Sequence, residues 1–281
     1  MTTTRFTRSA ELQKWRLTLP AKSTVAFVPT MGALHAGHEQ LLRTARSMAD
    51  IVIASIFVNP LQFDDETDLE TYPRTLDSDI EFCRRNHTDA IFIPNVNEVY
   101  PSNNSPIISS GKIGTIYEGE HRPGHFDGVL TVVDRLFALV SPDMAIFGAK
   151  DFQQLVLVRQ MTTVRHPHIS IISVPTVREP DGLAFSSRNS RLHPDARLVA
   201  PKLYECLCHI ETQYRSGIVK ARQLERYGRE FLGRFEEISV DYLVCVDASD
   251  LTSIDTVGSS AVVLIAATIA NVRLIDSILL N

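Results

Sequence analysis

Two histidines three residues apart, His35 and His38, stand in the stretch V-P-T-M-G-A-L-H-A-G-H of residues 28–38. The apolar run Val25, Ala26, Phe27, Val28 ends at Pro29. A turn carrying Gly32 follows, and an amphipathic run through Leu41, Leu42, Ala45 and Met48 begins after the histidines. This order predicts strand, tight loop and helix, with the helix over 36–48. At a helix start, unpaired backbone N–H groups and the positive dipole end attract anions. A spacing of three puts both imidazoles on one face, where they can donate to neighbouring phosphate oxygens of a nucleotide.

Three further blocks carry side chains suited to binding. Asn59-Pro60-Leu61-Gln62-Phe63 follows the strongest apolar run, Ile51–Val58. A glutamine just past a strand end can bond a small polar substrate through both its amide oxygen and its NH₂; it can also be a plain turn residue. Phe147 to Gln154 reads F-G-A-K-D-F-Q-Q. There Gly148 permits close backbone approach, Lys150 is a point charge suited to a phosphate, and Asp151 either serves the site or caps the next helix. Gln154 lies three residues after Asp151 and shares its helix face. Asp181 to Asn189 reads D-G-L-A-F-S-S-R-N. Its two hydroxyls and guanidinium suit a triphosphate, or else form a polar interdomain loop.

Other chemistries find less support. His121 and His125, four apart in a Pro/Gly-rich segment, are not expected on one helix face and are discounted as a metal pair. Cys83, Cys206, Cys208 and Cys245 lack C-x-x-C spacing, so reduced thiols in a cytoplasmic compartment are expected, without a zinc site or disulfide framework. No G-x-x-x-x-G-K-[ST], G-x-G-x-x-G or G-x-S-x-G string occurs. A net charge of −5 argues against a general nucleic-acid binder. Met1 to Ala10 has no apolar core, so no secretory signal is expected. The apolar stretch Ala261–Ala270 is too short to span a bilayer and reads as a buried strand, so no membrane association is expected.

The elements that must position these residues follow from periodicity. With 281 residues, 44% hydrophobic, a packed fold of one large or two modest domains is expected. Strands are expected at 25–28, 51–58, 90–93, 144–147 and 169–174. Helices are expected at 36–48, 75–86, 129–140 and 152–164. Strand–helix alternation with near-continuous apolar strands predicts a doubly wound, Rossmann-like parallel sheet, which binds ligands outside the carboxyl ends of its strands. Pro94–Gly128 reads as a long, functional loop. The pattern changes near residues 178–194. Helices at 195–215 and 221–235 and strands at 240–246, 261–267 and 272–276 predict a smaller α+β domain. The expected domains are 1–180 and 181–281.

The full string P-T-M-G-A-L-H-x-G-H resembles the nucleotide motif of the nucleotidylyl-transferase superfamily and, within it, the pantothenate synthetase (pantoate–β-alanine ligase) family. Tyr72-Pro73-Arg74-Thr75, His121–Gly128, the Lys150 and Ser186 blocks and R-L-I-D (Arg273–Asp276) continue the resemblance in family order, from about Val25 to Asp276. It implies ATP-dependent condensation of (R)-pantoate with β-alanine through a pantoyl-adenylate. His38, His35, Lys150 and Arg188 would carry the chemistry. ATP binding is implied for Met31, Gly32, Ala33, Leu34, His35, Ala36, Gly37 and His38, for Gly148, Ala149, Lys150 and Asp151, and for Val177, Phe185, Ser186, Ser187 and Arg188. Gln62 and Gln154 would bind substrate. Mg²⁺ is expected through the ATP phosphates, with no dedicated protein ligands. A cytoplasmic homodimer is implied, with the smaller domain closing over the site. One departure stands out: the family pattern is usually G-E-K-D, and this chain has Ala149 at the glutamate. Two alternatives stay open, a nucleotidylyl transferase acting on a phosphorylated acceptor, and a nucleotide sensor without catalysis, supported only by Ala149.

Overall fold

Strands that are apolar on both faces need cover on both sides, and the chain supplies it around a parallel sheet. The computed structural model describes residues 3–63, 66–101, 106–258 and 260–280. The extreme ends of the two expected domains (Met1, Thr2, Asn281) and residues 102–105 of the expected long loop lie outside the described residues. By contacts the chain forms two units, Met1–Gly148 with Leu157–Val174, and Ala149–Val156 with Pro175–Asn281.

In chain order the first part comprises β1 (Thr4–Phe6), α1 (Ser9–Arg16), β2 (Val25–Thr30), α2 (Ala36–Met48), β3 (Ile51–Ile56), α3 (Glu66–Glu70), α4 (Leu76–Arg85), β4 (Ala90–Phe92), α5 (Val96–Val99), α6 (Glu118–His121), α7 (His125–Val140), β5 (Met144–Gly148), α8 (Phe152–Arg165) and β6 (Ser170–Val174). The strands form one sheet in the order β1-β4-β3-β2-β5-β6, and every pairing is parallel. Strand order reverses between β2 and β5, the point where such sheets bind ligands. Alternation along β2 sorts its side chains. Ala26 and Val28 pack with Leu42 and Ala45 of α2 and Cys83 of α4. Phe27 is instead packed against Phe137 of α7, ring centroids 6.4 Å apart. The expected doubly wound sheet is therefore present.

Several expectations shift. β1 and α1 were not anticipated: β1 is three residues long, and α1 buries only Leu12, so neither carries a period. β1 adds an outer strand, pairing Thr4–Phe6 with Ala90–Phe92. β2 runs past Pro29 to Thr30; its pairing with β5 covers only Ala26 and Phe27, so the missing proline N–H leaves that ladder intact. Met48 of α2 is 44% exposed rather than part of the buried stripe. The expected loop 94–128 contains α5, a 3₁₀ turn at Lys112–Thr115 and α6, and α7 starts at His125, a turn before the expected Val129. Gly111 and Gly124, at φ +59° and +80°, break this segment into pieces too short to show a period.

The second unit contains α9 (Pro194–Val199), α10 (Lys202–Arg215), α11 (Ala221–Leu232), β7 (Ile238–Asp247), β8 (Ala261–Ile269) and β9 (Val272–Leu280). The strands form an antiparallel sheet, β7-β8-β9. The single helix expected at 195–215 is two, because Pro201 has no N–H to continue the ladder. Cys206, Leu207 and Ile210 of α10 and Leu224 of α11 pack on Leu243, Val263 and Ile265. A Cβ on Gly228 would lie 2.5 Å from a Leu243 methyl and 2.7 Å from an Ile210 methyl, so a larger residue there would make these side chains shift. Among the described residues no helix is long and apolar enough to cross a membrane.

Candidate active site

The carboxyl end of β2 leads into a turn built from two left-handed residues, Gly32 at φ +84° and Ala33 at φ +51°. His35 is the N-cap of α2, and the two imidazoles form a reciprocal cap. His35 Nδ1 accepts from the Gly37 N–H at 3.2 Å, and His38 Nδ1 accepts from the His35 N–H at 3.2 Å. The ring centroids are 4.2 Å apart, as the shared face predicts. With both Nδ1 atoms accepting, each neutral ring carries its proton on Nε2, the nitrogen that can donate to an oxygen. One expectation is corrected. Two of the first-turn N–H groups are already paired: Gly37 N–H goes to imidazole and His38 N–H to the His35 carbonyl at 2.8 Å. At those two positions imidazole donors and the helix dipole therefore take over from bare amides as the anion-attracting feature of this turn.

A buried carboxylate holds the turn from below. Asp79 of α4 is 2% exposed and accepts from Ala33 N–H at 3.0 Å, Leu34 N–H at 2.8 Å and Thr75 Oγ1 at 3.2 Å. A Cβ on Gly32 would lie 2.9 Å from an Asp79 oxygen, so both the φ and the space select glycine. These bonds fix the strained Ala33 backbone in place. Sequence reasoning passed over Asp79. The available signal was an acid four residues before Cys83 on the buried stripe of α4.

Gln62 ends a 3₁₀ turn, Pro60–Gln62, capped by Asn59, whose Oδ1 accepts from the Leu61 N–H at 3.3 Å. The Gln62 amide is held at both ends: Oε1 accepts from Asn59 Nδ2 at 3.1 Å, and Nε2 donates to Met31 Sδ at 3.0 Å. Each group keeps a second site, a lone pair on the oxygen and an N–H on the nitrogen. Asn59 Nδ2 also donates to the Gly128 carbonyl at 3.1 Å, and Tyr100 OH donates to Asn59 Oδ1 at 2.8 Å. Burial pushes the Tyr100 phenol well above its ordinary pKa, which keeps it a neutral donor. His125 Nδ1 sits 2.7 Å from the Gln62 carbonyl, and Arg122 Nη2 donates to the same oxygen at 3.2 Å. A Cβ on Gly128 would collide with the Leu61 carbonyl, so this glycine lets α7 reach the Gln62 turn. The H-R-P-G-H-F-D-G block thus supports the glutamine; its contribution was not foreseen.

In the second unit, the Asp151 carbonyl accepts the first helical bond of α8 from Leu155 N–H at 3.0 Å, and Lys150 Nζ lies 3.9 Å from Asp151 Oδ1. In the first unit, at the end of β5, a Cβ on Gly148 would meet no protein atom within 4 Å. The segment after Pro175 folds as a hairpin: Phe185 N–H donates to the Val177 carbonyl at 3.0 Å, Glu179 N–H to the Leu183 carbonyl at 2.8 Å, and Gly182 turns at φ +94°. Ser186 then caps a 3₁₀ turn, Ser187–Arg191, by accepting from Arg188 N–H at 3.2 Å. Asn189 Nδ2 ties that turn to Glu179 Oε1 at 2.9 Å and to the Ala184 carbonyl at 3.1 Å. Among the described residues no three His, Cys, Asp or Glu side chains gather to hold a metal ion.

Comparison with known proteins adds a family. The model of the Pantoate-beta-alanine ligase family matches residues 4–279. A pantothenate synthetase of Aquifex aeolicus is 42% identical over 254 residues, covering 90% of each chain. The crystal structure of a pantothenate synthetase from Thermus thermophilus superposes with a TM-score of 0.92 at 40% identity, covering 98% of this chain and 99% of that one. A pantoate-beta-alanine ligase from Francisella tularensis, solved in complex with beta-gamma ATP and beta-alanine, gives a TM-score of 0.82 at 33% identity, covering 99% of this chain and 98% of that one.

Proposed function

The chain belongs to the pantoate-beta-alanine ligase family, and on that premise we propose that it condenses (R)-pantoate with β-alanine, converting ATP to AMP and pyrophosphate. A carboxylate oxygen of pantoate attacks the α-phosphorus of ATP; the bond from that phosphorus to the bridging oxygen breaks, and pyrophosphate leaves. The β-alanine amine then attacks the acyl carbon, the acyl–oxygen bond to AMP breaks, and the amine gives its proton to solvent. This chemistry asks the protein for position and for neutralisation of phosphate charge.

The observation that carries the reading is the double imidazole cap at the end of β2, which fixes two Nε2–H donors beside the strand-order reversal. In this reading His35 and His38 donate to phosphate oxygens as charge develops at the α-phosphorus. Lys150, Ser186, Ser187 and Arg188 hold the phosphate chain, and backbone from Met31 to Gly37, Gly148 to Asp151, Val177 and Phe185 lines the nucleotide. Gln62 uses its remaining lone pair and N–H for pantoate and β-alanine, and Gln154 binds pantoate. Mg²⁺ arrives as MgATP, as part of the substrate. The protein works as a cytoplasmic homodimer, with a functional boundary near residue 180. The test is a product assay with purified protein. AMP and pantothenate should form in equal amounts, and only when pantoate and β-alanine are both present; a dinucleotide-like product, or ATP turnover indifferent to pantoate, would overturn the reading.

A further inference from the structure

The R-L-I-D segment of β9 has no role in the scheme above, yet its last residue and the one after it, both buried, reach the Lys150 and Ser186 segments of the second unit. Asp276 is 5% exposed and Ser277 7%. Asp276 receives Arg178 bidentately, Nη1 to Oδ2 at 2.5 Å and Nη2 to Oδ1 at 3.0 Å. Arg178 stands at the base of the hairpin leading to Ser186. It also donates to the Gly182 carbonyl at 3.2 Å, and its guanidinium lies 3.6 Å from the centroid of the Tyr204 ring. Stacking on one face and a fork on the edge leave the guanidinium a single orientation. The next residue faces the other segment: Ser277 Oγ donates to the Ala149 carbonyl at 3.0 Å, and Ser277 N–H donates back to Asp276 Oδ1 at 2.8 Å.

We propose that Asp276 and Ser277 are positioning residues for the adenylation step, setting the Lys150 segment and the Ser186–Arg188 segment in register from the middle of one strand, β9. The argument rests on the reading that Lys150 and Arg188 contact ATP phosphates. A peptide unit is planar, so fixing the Ala149 carbonyl also fixes the Lys150 nitrogen and Cα in the same plane. The tether uses the backbone of residue 149 and not its side chain, which explains how alanine can stand where the family usually has glutamate. Arg178 does the same for the hairpin: its bonds to Asp276 and to the Gly182 carbonyl tie the first arm and the turn of the hairpin that leads to Ser186 to β9.

A double-mutant cycle tests this, read as the dissociation constant of a non-hydrolysable ATP analogue by calorimetry on the full chain. Ser277→Ala should weaken the analogue about fivefold in the otherwise unchanged protein and less than about twofold in a Lys150→Ala background, because coupled residues are not additive. Ser277→Thr, which keeps the hydroxyl, should stay within about twofold of the unsubstituted protein. Arg178→Lys should behave likewise against Arg188→Ala, since a lysine cannot make the fork. Equal factors in both backgrounds would make Ser277 a general structural residue and overturn the proposal. No loss from Ser277→Ala while Lys150→Ala weakens binding would overturn it too, leaving the ATP reading intact. No loss from Lys150→Ala would overturn that reading and the proposal with it.

Discussion

The two imidazoles that cap α2 spend Nδ1 on the backbone and keep the proton on Nε2. His35→Ala and His38→Ala should therefore each lower adenylate formation by a factor of about 100 to 1,000, the usual loss for one preorganised donor at a developing oxyanion. Loss of the cap should cost about 1 kcal/mol of stability, so both variants should stay folded. A variant that folds and keeps near-normal pyrophosphate exchange would remove that imidazole from the chemistry. The glutamines should separate by ligand. Gln62→Ala and Gln154→Ala are expected to weaken pantoate more than ATP, and equal losses by calorimetry would contradict their assignment. At the Lys150 segment, Lys150→Ala should cut adenylation severely, whereas Ala149→Glu should change the KM for ATP less than about tenfold, or roughly 1.4 kcal/mol. The reverse ranking would mean the segment is organised around the alanine side chain. At this scale the sequence made the ligand-facing candidates readable, because H-x-G-H, Gln62 and S-S-R-N are chemical types at short spacing. Asp79, His125 and Asp276 were not readable as supports. Their partners lie 46, 63 and 98 residues away, and no local pattern encodes such pairings.

Elements show the converse. Strands β2 to β6 and helices α2, α4 and α8 fell within a few residues of their expected bounds, because apolar runs mark the strands and recurring apolar residues mark the helices. β1, α1, α5 and α6 escaped, being too short or too polar to show a period. The turn between β2 and α2 depends on a different element, α4, through the Asp79 carboxylate. Asp79→Asn presents an NH₂ to one of the two N–H donors it now accepts, so one bond is lost and two donors face each other. That should destabilise the first unit by about 1.5–3 kcal/mol, the range for a hydrogen bond to a charged group. It should also raise the KM for ATP, because Ala33 would no longer be held at positive φ. Thermal unfolding and steady-state kinetics on the same preparation check both parts; an unchanged KM in a destabilised variant would separate the turn from nucleotide binding.

For the whole molecule, the sheet brings the end of β2, with its paired imidazoles, to the place where strand order reverses, and the family match accounts for that arrangement over residues 4–279. The central claim is that this chain activates pantoate as an acyl-adenylate before any amine is needed. Exchange of labelled pyrophosphate into ATP without β-alanine measures that half-reaction alone. The account predicts exchange that depends on pantoate, proceeds with no β-alanine present, and falls by about 100-fold or more in His38→Ala. Exchange that ignores pantoate, or that appears only when β-alanine is added, would contradict it.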